Sequence, residues 1–379
     1  MAETNLTEDE HTMGERAPAK LDPLSGGSMG TLNDVAYELG YIQDLANRGS
    51  WKLLLDAIGR ARSESRLSSP HDHLTYMAFS VLALSKLRRF KDAVVELTSL
   101  EDFDSHHYRY ETYPKIYPSR SGSMVPFVLR WLHALLPIKL GKNKEGLDRF
   151  YLLLDFVRQR ILKLERKTPS YVIWRRREYL VLNCIIGQHV SGMEFGACLD
   201  VIRDSASRGL CDPSLIAKLG LVQMHVGDLE GAKASFNWVE RTIEERGYKG
   251  DEEEEWFVKE EELRNLVGRN KALVFLSSKD YVSAIREYDE CIERDAMDVV
   301  AINNKALCLM YLRDLSDSIK VLEGALERVP TVALKEPVLV NLCSMYELAY
   351  VNHSEIKRTL SSWVAKVAPD DFDSSSTRI

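Results

Sequence analysis

The residue types that most often bind metals are present in this sequence, but their spacing forms no recognisable site. Two close histidine pairs, His71 with His73 and His106 with His107, fall in loop-like stretches without acidic or cysteine ligands at a useful spacing. The six cysteines are scattered and contain no CxxC pair, which favours reduced thiols in the cytosol over a disulfide or zinc framework. We therefore predict that the chain holds no metal.

The motifs of the common enzyme classes are absent from the sequence as well. There is no GxxxxGK[ST], no GxGxxG after a strand, no HExxH and no GxSxG. These motifs place backbone amides around phosphates, histidines around zinc, or a serine in reach of a base. We predict that the chain has no catalytic residues, binds no cofactor and is not an enzyme.

Two charged segments offer contacts with a partner instead. The stretch from Arg158 to Arg177 holds eight Lys or Arg residues and one Glu. It is either a solvated helix face or a contact for anionic lipid or protein. The acidic run DEEEEWFVKEEE from Asp251 is either a solvated linker or a contact for a basic surface. The formal charge of the whole chain, −7, disfavours nucleic acid as the main partner.

The elements that carry these residues are predicted to be helices. The chain is 45% apolar and 28% charged, which is the composition of a folded soluble protein. No apolar run reaches the roughly 18 residues of a membrane span, and the polar start of the chain is unlike a signal peptide. We predict disordered tails at 1–30 and 369–379, and amphipathic helices between them.

A repeat of 34 residues is clearest near the C-terminus, where NKALVFLSSKDYVSAIREYDECIERDA from Asn270 matches NKALCLMYLRDLSDSIKVLEGALERVP from Asn304. Thirty-four residues is the tetratricopeptide period. The small residues Ala272 and Ala306 would let the first helix of each pair approach the second, at Ala284 and Ser318. Larger apolar residues four positions later, Tyr288 and Leu322, would fill the space between hairpins.

The same frame recurs more weakly towards the N-terminus and after Pro330. The sequence therefore predicts an all-α, tetratricopeptide-like helical-hairpin solenoid of roughly eight hairpins over residues 31–368. Two insertions interrupt it, a Tyr- and Pro-rich segment at 105–126 and the acidic segment at 247–262.

Candidate contact residues lie in the C-terminal repeats and in the first insertion. The repeat asparagines would bond either a bound peptide or a neighbouring helix, and the insertion would form an interface or fold back over its own helices. The predicted protein-binding residues are Arg269, Asn270, Asn303, Asn304, Met310, Asn341, Glu347, Tyr113 and Tyr117.

Several linear blocks resemble one known family. MVPFVLRWLHALLPIKLGKNKEGLDRFYLL from Met124, the preceding YETYPKIYPSRSGS, NNKALCLMYLRDLSDSIKVLE and VLVNLCSMYEL are similar to trafficking protein particle (TRAPP) complex subunit 12. The resemblance runs from about Trp51 to Trp363. The acidic insertion from Asp251 departs from that family's pattern.

The resemblance implies a non-catalytic scaffold or adaptor subunit of a vesicle-tethering complex in ER-to-Golgi and Golgi traffic. Its partners would be sibling subunits and, indirectly, a Rab GTPase. Its location would be the cytoplasm, peripherally at Golgi and ER–Golgi intermediate membranes. The alternative is a co-chaperone that clamps acidic C-terminal peptides. That clamp needs Lys or Arg where this chain has Leu266, Pro337 and Asn341.

Overall fold

The computed structural model describes residues 39–67, 69–100, 102–166, 168–249 and 260–377. Helices account for 77% of these residues and none of them forms a strand. A single isolated β-bridge among them joins Arg109 and Ser123. The predicted all-α, tetratricopeptide-like class is confirmed. The predicted disordered tail at 1–30 lies outside the described residues.

The described helices fall into two compact units, which we treat separately. The first unit runs to Gln188 and includes residues 369–371; the second runs from His189 to Ala368 and includes the residues after 371. The first unit contains α1 (Leu39–Asn47), α2 (Trp51–Ser63), α3 (Pro70–Lys86), α4 (Phe90–Thr98), α5 (Phe127–Lys139), α6 (Asn143–Ile161) and most of α7 (Pro169–Ser191).

The second unit contains the last residues of α7 and the remaining helices. They are α8 (Phe195–Ser207), α9 (Pro213–His225), α10 (Leu229–Lys249), α11 (Glu260–Ser277), α12 (Tyr281–Arg294), α13 (Val299–Tyr311), α14 (Leu315–Arg328), the short α15 (Pro330–Ala333), α16 (Glu336–Ala349) and α17 (His353–Val367). Within each unit, most helices that follow one another along the chain pack against each other.

The two helices of each successive pair are joined by a turn of three residues, and eight such turns occur in the described chain. In seven of them the middle residue has a positive φ. Those residues are Gly49, Arg88, Gly141, Met193, Gly227, Lys279 and Arg313. A left-handed residue directs the chain out of the first helix and back along the second. Four of the seven positions are not glycine, so the turn geometry is imposed by the packing of the helices.

Close helix contacts form where the repeat predicts small residues. Ala306 and Ser318 are fully buried, and the Ser318 hydroxyl donates to the Ala306 carbonyl oxygen at 2.6 Å. An added Cβ at Gly220 would lie 2.4 Å from the ring of Phe236, and one at Gly146 would lie 2.4 Å from Ile138. Small side chains at these crossings therefore set the distance between paired helices.

The Tyr- and Pro-rich insertion folds against its own unit. It contains two short 3₁₀ segments, His106–Tyr108 and Tyr110–Thr112, rather than an α-helix. Tyr110 and Met124 are buried in the core that α2, α3 and α5 form, and the Tyr110 hydroxyl lies 3.0 Å from Nδ1 of His71. Of the two alternatives, the insertion folds back over its own helices in this structure.

Residues 369–379 are predicted to form a disordered tail, but in the structure several of them up to Thr377 contact helices. In the first unit, Asp370 accepts from the Lys52 amide at 3.0 Å and Asp371 pairs with Lys86 at 3.0 Å. In the second unit, Thr377 is buried and its carbonyl oxygen lies 3.3 Å from the Cys343 sulfur. The polar sequence DDFDSSST gave no sign of these contacts because its packing is through backbone and charge rather than apolar periodicity.

Candidate protein-binding surfaces

The asparagines of the C-terminal repeats bond neighbouring helices. On α13, Asn303 accepts from the side-chain amide of Asn341 on α16 at 2.9 Å. Asn304, also on α13, donates to the Tyr288 hydroxyl of α12 at 3.3 Å. Of the two open alternatives, a peptide or a neighbouring helix, the structure shows the helix. Asn303, Asn304 and Asn341 are half-buried, so each retains an accessible edge.

Arg269 takes part in a second polar cluster between α11 and the start of α13. Its Nη1 atom lies 2.6 Å from Asp298 Oδ2, and Asn265 donates to the same carboxylate oxygen at 3.0 Å. The other oxygen of Asp298 accepts from the Ala301 amide and caps α13. Arg269 is therefore anchored, and its side chain is 18% exposed.

The remaining predicted contact residues differ in accessibility. Asn270 is 3% exposed and its Nδ2 atom has no hydrogen-bond partner among the described residues, so it faces the interior. Met310 is half-buried against the core of the last hairpins. Glu347 is exposed and pairs with the buried Lys357 at 2.8 Å. Of these three, Glu347 is the one a partner would reach most readily.

The two tyrosines of the insertion serve the first unit. Tyr117 accepts from the His71 amide at 3.1 Å, and its ring packs edge-on against Tyr110 at 5.1 Å. Tyr113 is half-buried against the same core. Both side chains hold the insertion on α3, and their role in partner binding stays a prediction.

Two thiols of the C-terminal repeats are packing groups. Cys291 and Cys308 are completely buried, and burial raises the pKa of each thiol to about 11. A thiol nucleophile must be ionised to react, so these two are held in their unreactive form at neutral pH. No group of His, Cys, Asp and Glu within the described ranges is arranged to hold a metal ion.

The basic stretch from Arg158 to Arg177 is partly structural. Glu178 of α7 is 2% exposed and accepts from Arg158 of α6 at 3.0 Å and from Arg175 at 2.6 Å. One buried carboxylate thus pairs with two of the eight cations. The prediction of a solvated helix face does not describe these two residues, because Glu178 draws them inward.

Other arginines of the first unit lie over aromatic rings, which the sequence analysis did not foresee. Phe156 of α6 has the Arg130 guanidinium at 4.5 Å and the Arg160 guanidinium at 5.6 Å from its ring centre. On α7, Arg177 lies 4.5 Å from the Trp174 ring centre. Sequence spacing could have indicated two of these contacts, because residues three or four apart lie on the same side of a helix. Phe156 precedes Arg160 by four residues, and Trp174 precedes Arg177 by three.

A cavity of about 400 Å³ opens beside this arginine and aromatic cluster. Its lining residues are Asp104, Arg109, Phe156, Gln159, Arg160 and Lys163. Asp104 and Arg109 come from the chain that follows α4, and the other four from α6 and the residue pair that follows it. Among the described residues, no helix combines the length and the hydropathy that crossing a bilayer requires.

The fold and these surfaces define a class of protein: a tetratricopeptide-like array of helical hairpins with polar and basic contact surfaces. No family model matches the chain. Among curated proteins, the chain is similar to trafficking protein particle complex subunit 12 of mouse and of human. Each is 28% identical over 390 residues, which cover 95% of this chain and 46% and 50% of the mouse and human proteins. The predicted resemblance is confirmed, and the chain spans about half the length of these relatives.

Solved structures with a similar arrangement of helices include a human IFIT1 dimer with m7Gppp-AAAA and the TPR2AB domain of yeast Sti1 in a complex with pHSP90. The first is 12% identical with a TM-score of 0.40, covering 86% of this chain and 68% of that chain. The second is 14% identical with a TM-score of 0.26, covering 66% of this chain and 93% of that chain. Both TM-scores are low, and the class stated above follows from the chain's own helices.

Proposed function

We propose that the chain is a non-catalytic scaffold or adaptor subunit of a TRAPP-type tethering complex and binds sibling subunits through its repeat surface. The observation that carries this proposal is the extent of the similarity to subunit 12, which covers 95% of the chain and therefore nearly all of the helical array. Each hairpin adds surface without requiring a deep core, which suits a subunit that must contact several proteins.

The proposed function implies a cellular location and an indirect partner. A subunit of such a complex would work in the cytoplasm, peripherally at Golgi and ER–Golgi intermediate membranes. It would act on a Rab GTPase only through the assembled complex. The co-chaperone alternative receives no support from the second unit, because Leu266 is half-buried, Pro337 lies in the first turn of α16 and Asn341 is bonded to Asn303.

We place the main contact on the last hairpins, where large apolar side chains are exposed. Tyr311 is 57% exposed and stacks on Tyr281 at 5.1 Å, Leu348 is 65% exposed, and Val351 is fully exposed. Exposed apolar side chains beside a polar rim are typical of an interface core. The better-kept repeat frame of this region also holds its surface in one conformation before binding.

Co-purification with the sibling tether subunits tests this proposal. The tagged full chain should capture them, and a chain carrying Leu348→Glu with Val351→Glu should lose at least about 90% of the capture, as expected for residues at the centre of an interface. Leu53→Glu with Leu152→Glu, two exposed apolar residues of the first unit, is the matched control. A chain lacking residues 1–30 should bind normally.

Two results would overturn the proposal. Failure of the folded full chain to capture any tether subunit would show that it is not a subunit of such a complex. Normal capture by the Leu348→Glu with Val351→Glu chain, with loss of capture in the control chain, would move the contact to the first unit. Circular dichroism of every variant establishes that the comparison is between folded proteins.

A further inference from the structure

The first unit is strongly basic in a chain whose total charge is −7. Its residues 39–188 and 369–371 contain 25 Lys and Arg and 17 Asp and Glu, a formal charge of +8. Electrostatic potentials of this kind steer oppositely charged partners towards a surface. The partner of this unit should therefore be acidic.

Part of this positive charge lines the cavity beside α6. The cavity measures about 400 Å³, and its lining includes Arg109, Arg160 and Lys163 together with Phe156. A volume of this order accommodates a few side chains rather than a single ion. Charged and aromatic groups are thus combined in one concave site.

Two of the polar groups in the cavity are available to a ligand. The side chains of Gln159 and Lys163 form no hydrogen bond with any residue that the structure describes, and both are exposed. The Arg109 guanidinium has an exposed pairing with Glu111 at 3.0 Å, and pairs of that kind contribute little and exchange easily. The carboxylate of Asp104, by contrast, is held by Arg130 at 2.7 Å.

The aromatic rings hold the guanidinium of Arg160 in position. Its centre lies 5.6 Å from the Phe156 ring and 6.0 Å from the Trp174 ring. Arg160 is therefore a fixed positive charge in the wall of the cavity, which attracts carboxylates without reorganisation of its side chain.

We propose that this cavity, formed by the chain after α4 and the C-terminal end of α6, binds a short acidic segment of a partner protein. Carboxylates of the segment pair with Arg109 and Lys163, and an apolar side chain of the segment packs against Phe156. Gln159 bonds the backbone of the segment. The site lies in a different unit from the interface proposed above and does not depend on it.

Two other ligand classes fit the cavity less well. Stacking of a nucleic acid base needs a free ring face, but Phe156 already has guanidinium groups of Arg130 and Arg160 against it. An anionic membrane is a flat surface and is bound best by protruding cations, whereas these cations line a concave cavity.

The test is a binding titration with the full chain. The probe is a fluorescein-labelled dodecapeptide of glutamates with one central tryptophan, followed by fluorescence anisotropy. Lys163→Glu should weaken binding at least about tenfold, because a cation in contact with the ligand becomes an anion. Lys139→Glu, which makes the same charge change at an exposed lysine of α5 outside the cavity, should weaken binding less than about twofold.

Three results would overturn the proposal. The first is failure of the unmodified chain to bind the peptide at about 100 μM, a concentration at which even weak specific contacts are measurable. The second is an equal loss of binding in both variants, which would show that only the overall charge of the unit attracts the peptide. Binding to phosphatidylserine vesicles or to single-stranded RNA, lost in Lys163→Glu while the peptide fails to bind, would assign the cavity to a membrane or a nucleic acid. Circular dichroism confirms that both variants are folded.

Discussion

At the scale of single residues, the carboxylate of Glu178 joins two helices of the first unit. It is almost completely buried and is compensated by two arginines, Arg158 on α6 and Arg175 on α7. Taking charges out of water is costly, and the cost is offset only when partners and geometry are retained. This one side chain therefore fixes the approach of α6 and α7.

Replacing Glu178 should destabilise the first unit severely. Glu178→Gln keeps the size of the side chain but removes the buried negative charge that two largely buried guanidinium groups contact, so we expect a loss of about 3 kcal/mol in the free energy of unfolding. Urea denaturation monitored by circular dichroism measures it. Glu165→Gln, at an exposed residue, should change stability by no more than about 0.5 kcal/mol. Equal stability of the two variants would contradict the role assigned to Glu178.

At the scale of the helical element, the pair α13 and α14 shows how the repeat works. Ala306 on the first helix and Ser318 on the second are both fully buried and are joined by a hydrogen bond from side chain to backbone. Around them, Leu322 and Met345 fill the space towards the next hairpin. The crossing leaves no volume for a larger side chain at position 306.

Ala306→Trp should therefore loosen the C-terminal hairpins. An indole cannot enter the crossing without separating α13 from α14, and overpacking of this kind typically costs about 1–3 kcal/mol or more. The expected result is a lower thermal unfolding temperature by differential scanning calorimetry. Ser316→Trp, at an exposed position of α14, is the matched control. If Ala306→Trp melts with the unmodified chain, the repeat register assigned here is wrong.

The period of 34 residues was enough to place these crossings, because small residues at a helix contact leave a regular trace in the sequence. The period could not predict the hydrogen-bond partners of the asparagines. Asn341 bonds Asn303, 38 residues away, because the short helix α15 shifts the last hairpin out of the exact period. The cavity in the first unit was also unforeseen, since Asp104 and Arg109 come from an irregular segment whose path has no period.

At the scale of the whole molecule, the proposed role assigns catalysis to other chains. Exchange of nucleotide on a GTPase needs groups that displace the nucleotide and its magnesium ion. The surfaces described here are built from packing residues, amide pairs and arginines held by aromatic rings. They are suited to binding, and the chain should contribute to exchange only by holding other subunits in place.

The purified chain alone should therefore leave the rate of nucleotide release from a Rab GTPase unchanged. Release of a fluorescent GDP analogue, followed in real time with and without the chain, measures this directly. The assembled tethering complex is the positive control. Acceleration by the lone chain at the rate of the complex would show that it has catalytic groups of its own.

The eight three-residue turns have a consequence for how such a chain can change in length. In seven of these turns, a left-handed middle residue closes the pair within three residues. An added residue would therefore require the hairpin to close in a different conformation. Between pairs, the connections range from 4 residues after α12 to 28 residues after α4. Evolutionary insertions, and equally an engineered tag or fluorescent protein, belong at these connections. The longest of these connections, residues 99–126, contains the predicted insertion at 105–126.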